Sequence, residues 1–391
     1  MTGACPTVVL RARGCARVRG LHPWVFRDDV ADDGGARSGD TVRMVDRAGG
    51  TCGYAFYSAH SKIALRRIRR EDQPPDTAHW DQALGRARRW RERTVDPDVT
   101  AYRWVFAESD GIPGLIVDRY GEHLVVQCQT AAAERLLASL TPLLLAWSGA
   151  CSILARDDSA ARTLEGLASR VAQITGRTPE TIEVREGPIR YRVDPWRGQK
   201  TGAFLDQRDN RVSLGARCRG SVLDAFCYQG GFALHAARHA EEVMAVDSSG
   251  PALERGRADA ASNGLAGIRF VEAKVFDELK RLARRGETFD VIVLDPPAFA
   301  KSRRDLAAAE RAYREVNRRA MLLLRPEGLL ITCSCSYNLS DEQFERVVAD
   351  AAADAGRDLR LVERRTQSSD HPVRLGFPES HYLKCLVLSV I

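Results

Sequence analysis

A chain of 391 residues, 44% hydrophobic and 28% charged, has the balance of a soluble globular protein and the length for two or three domains. It holds no uncharged apolar stretch long enough for a membrane helix and no signal-peptide core, so the expectation is a cytoplasmic protein with no membrane partner. The net charge of +6 is concentrated at the start, where residues 1–70 carry 13 Lys/Arg against 6 Asp/Glu, and such asymmetry points to a polyanionic partner, RNA or DNA.

Residues 7–70 alternate short β-like runs (TVVL, DTVRMVD, GYAFYS, IALRRI) with Gly-rich turns, the pattern of a small β-barrel over residues 1–72. Within it Arg11, Arg13, Arg17 and Arg19 alternate as strand residues do, which predicts one basic edge for RNA. EDQPPD at 71–76 reads as a hinge, and WDQALGRARRWRER as a helix whose basic side is either a solvated face or a phosphate contact. A central α+β domain spans 73–190: strands in YRWVFAES, GLIVDRYG and HLVVQCQT, a helix near 131–147, a strand in CSILARDD, and a helix over 159–176. A strand in YRVD follows.

From 191 to 391 apolar strands alternate with helices: SVLDAF, helix 232–240, EEVMAVD, helix 250–263, IRFVEA, helix 275–285, FDVIVLDPP, helix 305–324, GLLITCSC, helix 340–355 and YLKCLVLSVI. This α/β pattern predicts a doubly wound parallel sheet covered on both faces, with ligands at the carboxyl ends of its strands. The ten cysteines are scattered without a Cys-x-x-Cys, which favours free thiols over disulfides or zinc, so no metal is expected.

Asp224 closes the first of these strands in LDAFCYQGGF, and Gly230 and Gly231 permit a tight turn beside a ligand. The glycine spacing of a dinucleotide fingerprint is missing. The second strand ends at Asp247, where a carboxylate can accept both hydroxyls of a ribose. An adenosyl cofactor without a phosphate satisfies both facts. After the fourth strand comes Asp295-Pro296-Pro297, and after the fifth ITCSCS. Neighbouring strands would open Asp295 and Cys335 into one cleft, with the prolines aiming the carboxylate at a planar, amine-bearing base. Cys333 lies within the apolar run and reads as packing, Cys227 as loop lining. His371 in DHP is a base or a loop residue.

The stretches GQKTGAFLDQRDNR at 198–211, DAFCYQGGF, DPPAFAKS and TCSCS, with SDGIPGLIVDRYG in the middle of the chain, resemble the bacterial 23S rRNA (cytosine-5) methyltransferases. The resemblance covers nearly the whole chain. It implies an amino-terminal PUA domain, a central domain, a Rossmann-like class I methyltransferase domain over 191–391, S-adenosyl-L-methionine as cofactor and ribosomal RNA as substrate. It leaves homodimerisation open. Residue by residue it implies cofactor binding by Lys200, Thr201, Gly202, Phe204, Gln207, Arg208, Asp224, Phe226, Gly230, Gly231, Asp247, Ser248 and Asp295. Substrate binding falls to Pro296, Pro297 and Phe299. Cys335 matches the nucleophile that adds to carbon 6 of cytosine, and Asp295 the group that binds the base. The base that removes the carbon-5 proton is not identified.

One departure stands out: Ala273 and Lys274 replace the acids the family places near the adenine amine, which leaves that role to backbone groups or Asp277. Two other readings share these residues. Asp-Pro-Pro also resembles the motif with which N-methyltransferases hold an exocyclic amine, a chemistry that needs no thiol. Loss of the acids at 273 and 274 is the one feature of an inactive RNA-binding assembly factor.

Overall fold

The computed structural model describes residues 5–300 and 303–391, so the last two residues of DPPAFAKS lie outside the described residues. The chain divides into two compact units: residues 1–184, 193–205 and 369–380 form the first, and 185–192, 206–368 and 381–391 the second. No described helix is long and apolar enough to cross a membrane.

The first unit holds two sheets. Six strands pair in the order Trp24–Phe26, Ile63–Arg69, Thr51–Tyr57, Thr41–Val45, Thr7–Leu10, Val30–Asp32. A glycine within the strand Thr51–Tyr57 permits this pairing: at Gly53, beside a register shift against Thr41–Val45, φ is +94° and a Cβ would lie 2.2 Å from the Arg69 carbonyl, a position only glycine tolerates. Five strands form the second sheet, in the order Arg170–Thr175, Ser152–Asp157, His123–Cys128, Leu115–Tyr120, Ala101–Phe106. Helices Thr77–Thr94 and Ala131–Ser148 cover it. One continuous core joins Phe56 and Ile68 of the first sheet to Trp80, Leu84, Trp104 and Leu124.

Two expectations for this unit are corrected. Residues 12–19 form a helix, Ala12–Arg19, and not a strand. Gly14, Cys15 and Val18 are its buried positions, a helical spacing, and Ala and Arg fill most of the other positions, so side-chain period decides over the alternation of arginines. The helix expected over 159–176 stops at Leu164, and Arg170–Thr175 is an edge strand. Gly166, with φ at +72°, ends the helix, and the β-branched run that follows pairs with Ser152–Asp157.

The second unit is built on seven strands in the order Ile268–Glu272, Glu242–Asp247, Ser221–Ala225, Phe289–Leu294, Leu324–Ser334, Lys384–Val390, Leu359–Arg365. The first five in that order are parallel. The expected all-parallel sheet is corrected at its far edge, where Lys384–Val390 runs antiparallel to both of its neighbours. No helical crossover separates Leu359–Arg365 from Lys384–Val390, so the chain returns antiparallel. Helices flank the sheet, and two apolar clusters, around Leu223–Leu294–Tyr313 and around Val222–Val293–Cys333, fill the space against its faces. Strand order reverses between Ser221–Ala225 and Phe289–Leu294, the switch point where a cleft opens in such sheets.

Candidate active site

At the switch point the strand ends carry Asp247, Asp224 and Asp295 on three neighbouring strands or just beyond them. Asp224 is buried, and its Oδ2 accepts the Ala233 N–H at 2.9 Å. Its Oδ1 is buried with no hydrogen-bond partner among the described residues. Burial pushes the Asp224 carboxyl up to about 7, and the charges of Asp295 and Asp247 add to the rise.

Asp247 is half-buried and holds two backbone groups, Tyr228 N–H on Oδ2 at 2.8 Å and Ser249 N–H on Oδ1 at 2.9 Å. A carboxylate offers about four lone-pair sites, so acceptor capacity remains after both bonds. Between Asp224 and the helix Gly231–Ala236, Phe226 and Tyr228 have positive φ of 64° and 52°, a strained loop of the kind that collects at ligand sites. Gly230 has φ of +81°, and a Cβ there would sit 2.9 Å from the Phe270 ring. Gly231 lies against Arg211, whose Cδ would be 2.7 Å from an added Cβ. Phe226 packs with Phe276 and Phe299, ring centroids 6.3–6.4 Å apart. Ser248 is exposed.

Asp295 accepts the Gln207 side-chain N–H at 2.9 Å, and Gln207 in turn accepts from Asn210. This places part of the LDQRDN stretch on the Asp-Pro-Pro loop. Arg208 is buried and bonded to Asp209. Pro296 is buried, Pro297 exposed and Phe299 half-buried. Cys335 follows the last residue of Leu324–Ser334, half-buried, and its Sγ lies 3.9 Å from the Pro296 carbonyl. The Ala300 N–H meets Ser336 Oγ at 3.2 Å. The Asp-Pro-Pro loop and the Cys335 loop therefore touch. Cys333 is buried opposite Cys385, and this contact with burial holds its thiol well above its ordinary value. Burial does the same for Cys227.

In the first unit, Thr201 is buried and its hydroxyl meets Asp118 at 2.6 Å and Tyr120 at 2.8 Å. Gly202, with φ of +137°, has Val193 2.4 Å from where a Cβ would stand. Lys200 is exposed with its ammonium 4.6 Å from the Phe204 ring centre. His371 is buried on Asp370 against Phe106. Arg13 and Arg17 both pair with Asp29, Arg17 also lying over Phe26, while Arg11 donates to the Val30 carbonyl. Arg19 is exposed. In the second unit Ala273 donates its N–H to the Asp247 carbonyl, and Asp277 is exposed in the first turn of Val275–Arg284.

Sequence reasoning missed Glu186, which binds Arg211 through both oxygens at 2.6–2.7 Å and His235 at 3.1 Å. Burial would raise Glu186, but Arg211 and His235 bring it below its ordinary value. Glu186 thereby fixes the arginine that packs on Gly231. It also missed Asp206, which accepts from Tyr382 at 2.8 Å. Nothing local in the sequence marks either partner.

Three carboxylates at a switch point, one with an orphaned buried oxygen, fit a cationic ligand. S-adenosylmethionine carries a sulfonium and an ammonium, so its charge suits these residues. A family model for S-adenosylmethionine-dependent methyltransferases matches residues 146–379, and one for PUA-like domains matches 8–70. The chain is 41% identical over 379 residues to ribosomal RNA large subunit methyltransferase I of Tolumonas auensis, covering 95% of this chain and 96% of that protein. It is 38% identical over 383 residues to the protein of the same name from Vibrio cholerae, with 96% of each covered. Among solved structures, a putative methyltransferase from Streptococcus mutans superposes with a TM-score of 0.85 at 21% identity, over 98% of this chain and 100% of that one; its likeness is one of fold. From the domain matches and the full-length relatives together, the chain belongs to the ribosomal RNA large subunit methyltransferase I family, S-adenosylmethionine-dependent methyltransferases with an amino-terminal PUA-like domain.

Proposed function

We propose that the protein methylates carbon 5 of a cytosine in large-subunit ribosomal RNA, with Cys335 as the nucleophile. The observation that carries this reading is the contact of the Cys335 loop with the Asp295-Pro296-Pro297 loop at adjacent strand ends. S-adenosylmethionine, when bound, supplies an electrophilic methyl group on a sulfonium. Asp224 and Asp247 are the residues to hold it, Asp224 through its free buried oxygen and Asp247 through its remaining lone pairs.

Cys335 adds as thiolate to carbon 6 of the base, and the electron pair of the 5,6 double bond moves to carbon 5, which takes the methyl group. Asp295, oriented by Gln207, binds the base at ring nitrogen 3 or its amine and offsets the charge that addition develops. Loss of the carbon-5 proton to a base then restores the double bond as the sulfur leaves. The basic PUA-like barrel supplies RNA affinity through phosphate contacts.

Cys335→Ala abolishes turnover while cofactor binding stays near normal, and RNA carrying 5-fluorocytosine traps the wild type as a covalent adduct. Mass spectrometry of the product nucleosides reads the target atom. Full activity in Cys335→Ala, or a methylated amine in place of 5-methylcytosine, would overturn the reading.

A further inference from the structure

The apolar strand Lys384–Val390 begins with a lysine that is 3% exposed. Its register sets it opposite Ser334, the residue before Cys335. Its ammonium donates to the Ser336 carbonyl at 2.8 Å and to the Tyr382 carbonyl at 2.9 Å. The same loop is closed from the other side by hydroxyls. Ser336 N–H donates to Ser334 Oγ, Ser334 donates to Tyr313, and Tyr313 and Ser336 Oγ share a bond of 2.9 Å. Cys335 thus sits between two residues whose polar groups are held by Tyr313 and Lys384.

We propose that Lys384 is a positioning residue for Cys335: its buried ammonium fixes the loop through Ser336 and sets a positive charge against the loop that carries the sulfur, favouring the thiolate. The catalytic meaning of this rests on Cys335 as nucleophile; the effect on the thiol does not.

A buried ammonium is costly. Burial lowers Lys384 to about 8, with the charges of Asp341 and Cys335 acting in the opposite direction. That interaction is mutual, because a thiolate that favours the ammonium is favoured by it equally. Among the described residues, titratable groups near the pair include Tyr313, which burial pushes up to about 12, Asp341 paired with His381, and Asp295 beyond the adjacent strand. At neutral pH Lys384 is mainly charged, and a methionine of similar length would fill the same space.

The test is peptide-resolved alkylation of Cys335 by iodoacetamide across the neutral pH range, in wild type, Lys384→Met and Lys384→Gln. The exposed Cys151 in the other unit serves as internal control, and S-adenosylhomocysteine binding reports folding. Removing an adjacent charge shifts a thiol by about one pH unit, so alkylation near neutrality slows about tenfold in Lys384→Met. Lys384→Gln returns N–H donors without charge and behaves as Lys384→Met does, so either variant that folds decides the matter. A wild-type profile in Lys384→Met, or its restoration by Lys384→Gln, would refute a role for the charge. If Cys335→Ala keeps turnover, the catalytic reading fails while the alkylation result stands.

Discussion

Buried and half-buried carboxylates in the two units are held in different ways. In the first unit they meet guanidinium groups: Asp118 with Arg103, Asp110 with Arg91, Glu108 with Arg66, Asp157 with Arg170. At the switch point of the second, Asp224 and Asp247 accept backbone N–H groups. Away from the strand ends Glu186 returns to the first pattern with Arg211. The contrast separates two uses of buried charge. A carboxylate closed by an arginine within the fold has its charge balanced there and organises a core, whereas burial among neutral donors raises a carboxyl's affinity for a proton, as at Asp224.

The largest effect falls on the paired kind. Asp118→Ala leaves Arg103 as a buried charge without its bidentate partner and takes an acceptor from Thr201. Breaking such a pair costs about 3–5 kcal/mol, read as a lower midpoint in denaturant and a lower Tm. If stability is unchanged, the pair is not organising that core.

Asp224 is the opposite case. Its carboxyl is raised from 3.8 to about 7 in the folded chain, so the fold binds a proton that the unfolded chain has released. The stability this contributes is full below pH 3.8 and is lost as pH rises through about 7. Asp224→Asn flattens that part of the stability–pH curve, weakens S-adenosylmethionine binding, and leaves Tm at neutral pH equal or higher. A Tm drop like that of Asp118→Ala would erase the distinction between the two kinds of site.

The smallest of the three effects is at Asp247. If Asp247 holds the ribose as proposed, removing its carboxylate leaves two hydroxyls unpaired, at about 1–3 kcal/mol, or roughly 5- to 150-fold in cofactor affinity. Calorimetry and a melting curve on one preparation of Asp247→Ala separate this from a turn-capping role, since Tyr228 and Ser249 also lose an acceptor. Unchanged affinity with a lowered Tm would take Asp247 out of the site.

Side-chain periodicity along short segments was enough to read the alternating strands and helices from Ser221 to Ser334, the strand-end positions of Asp224, Asp247 and Asp295, and the separation of Cys333 from Cys335. These depend on neighbours within a few residues. The readings failed where period and pairing disagreed. Arg11 to Arg19 alternate in type, yet Cys15 and Val18 bury at helical spacing. Leu359–Arg365 escaped notice because an edge strand keeps its charged side chains in water and shows no apolar run.

By itself, then, the sequence determined the α/β class, the glycine turn after the first parallel strand and the thiol at a strand end, all encoded in local order. Only the tertiary structure decided which distant groups hold them: Glu186 on Arg211, Gln207 on Asp295, Tyr382 on Asp206 and Lys384 on Ser336. The reason is that a buried polar group must find a partner in space. Chain closure brings these partners across 25 to 176 residues of sequence, a distance at which no local pattern names them.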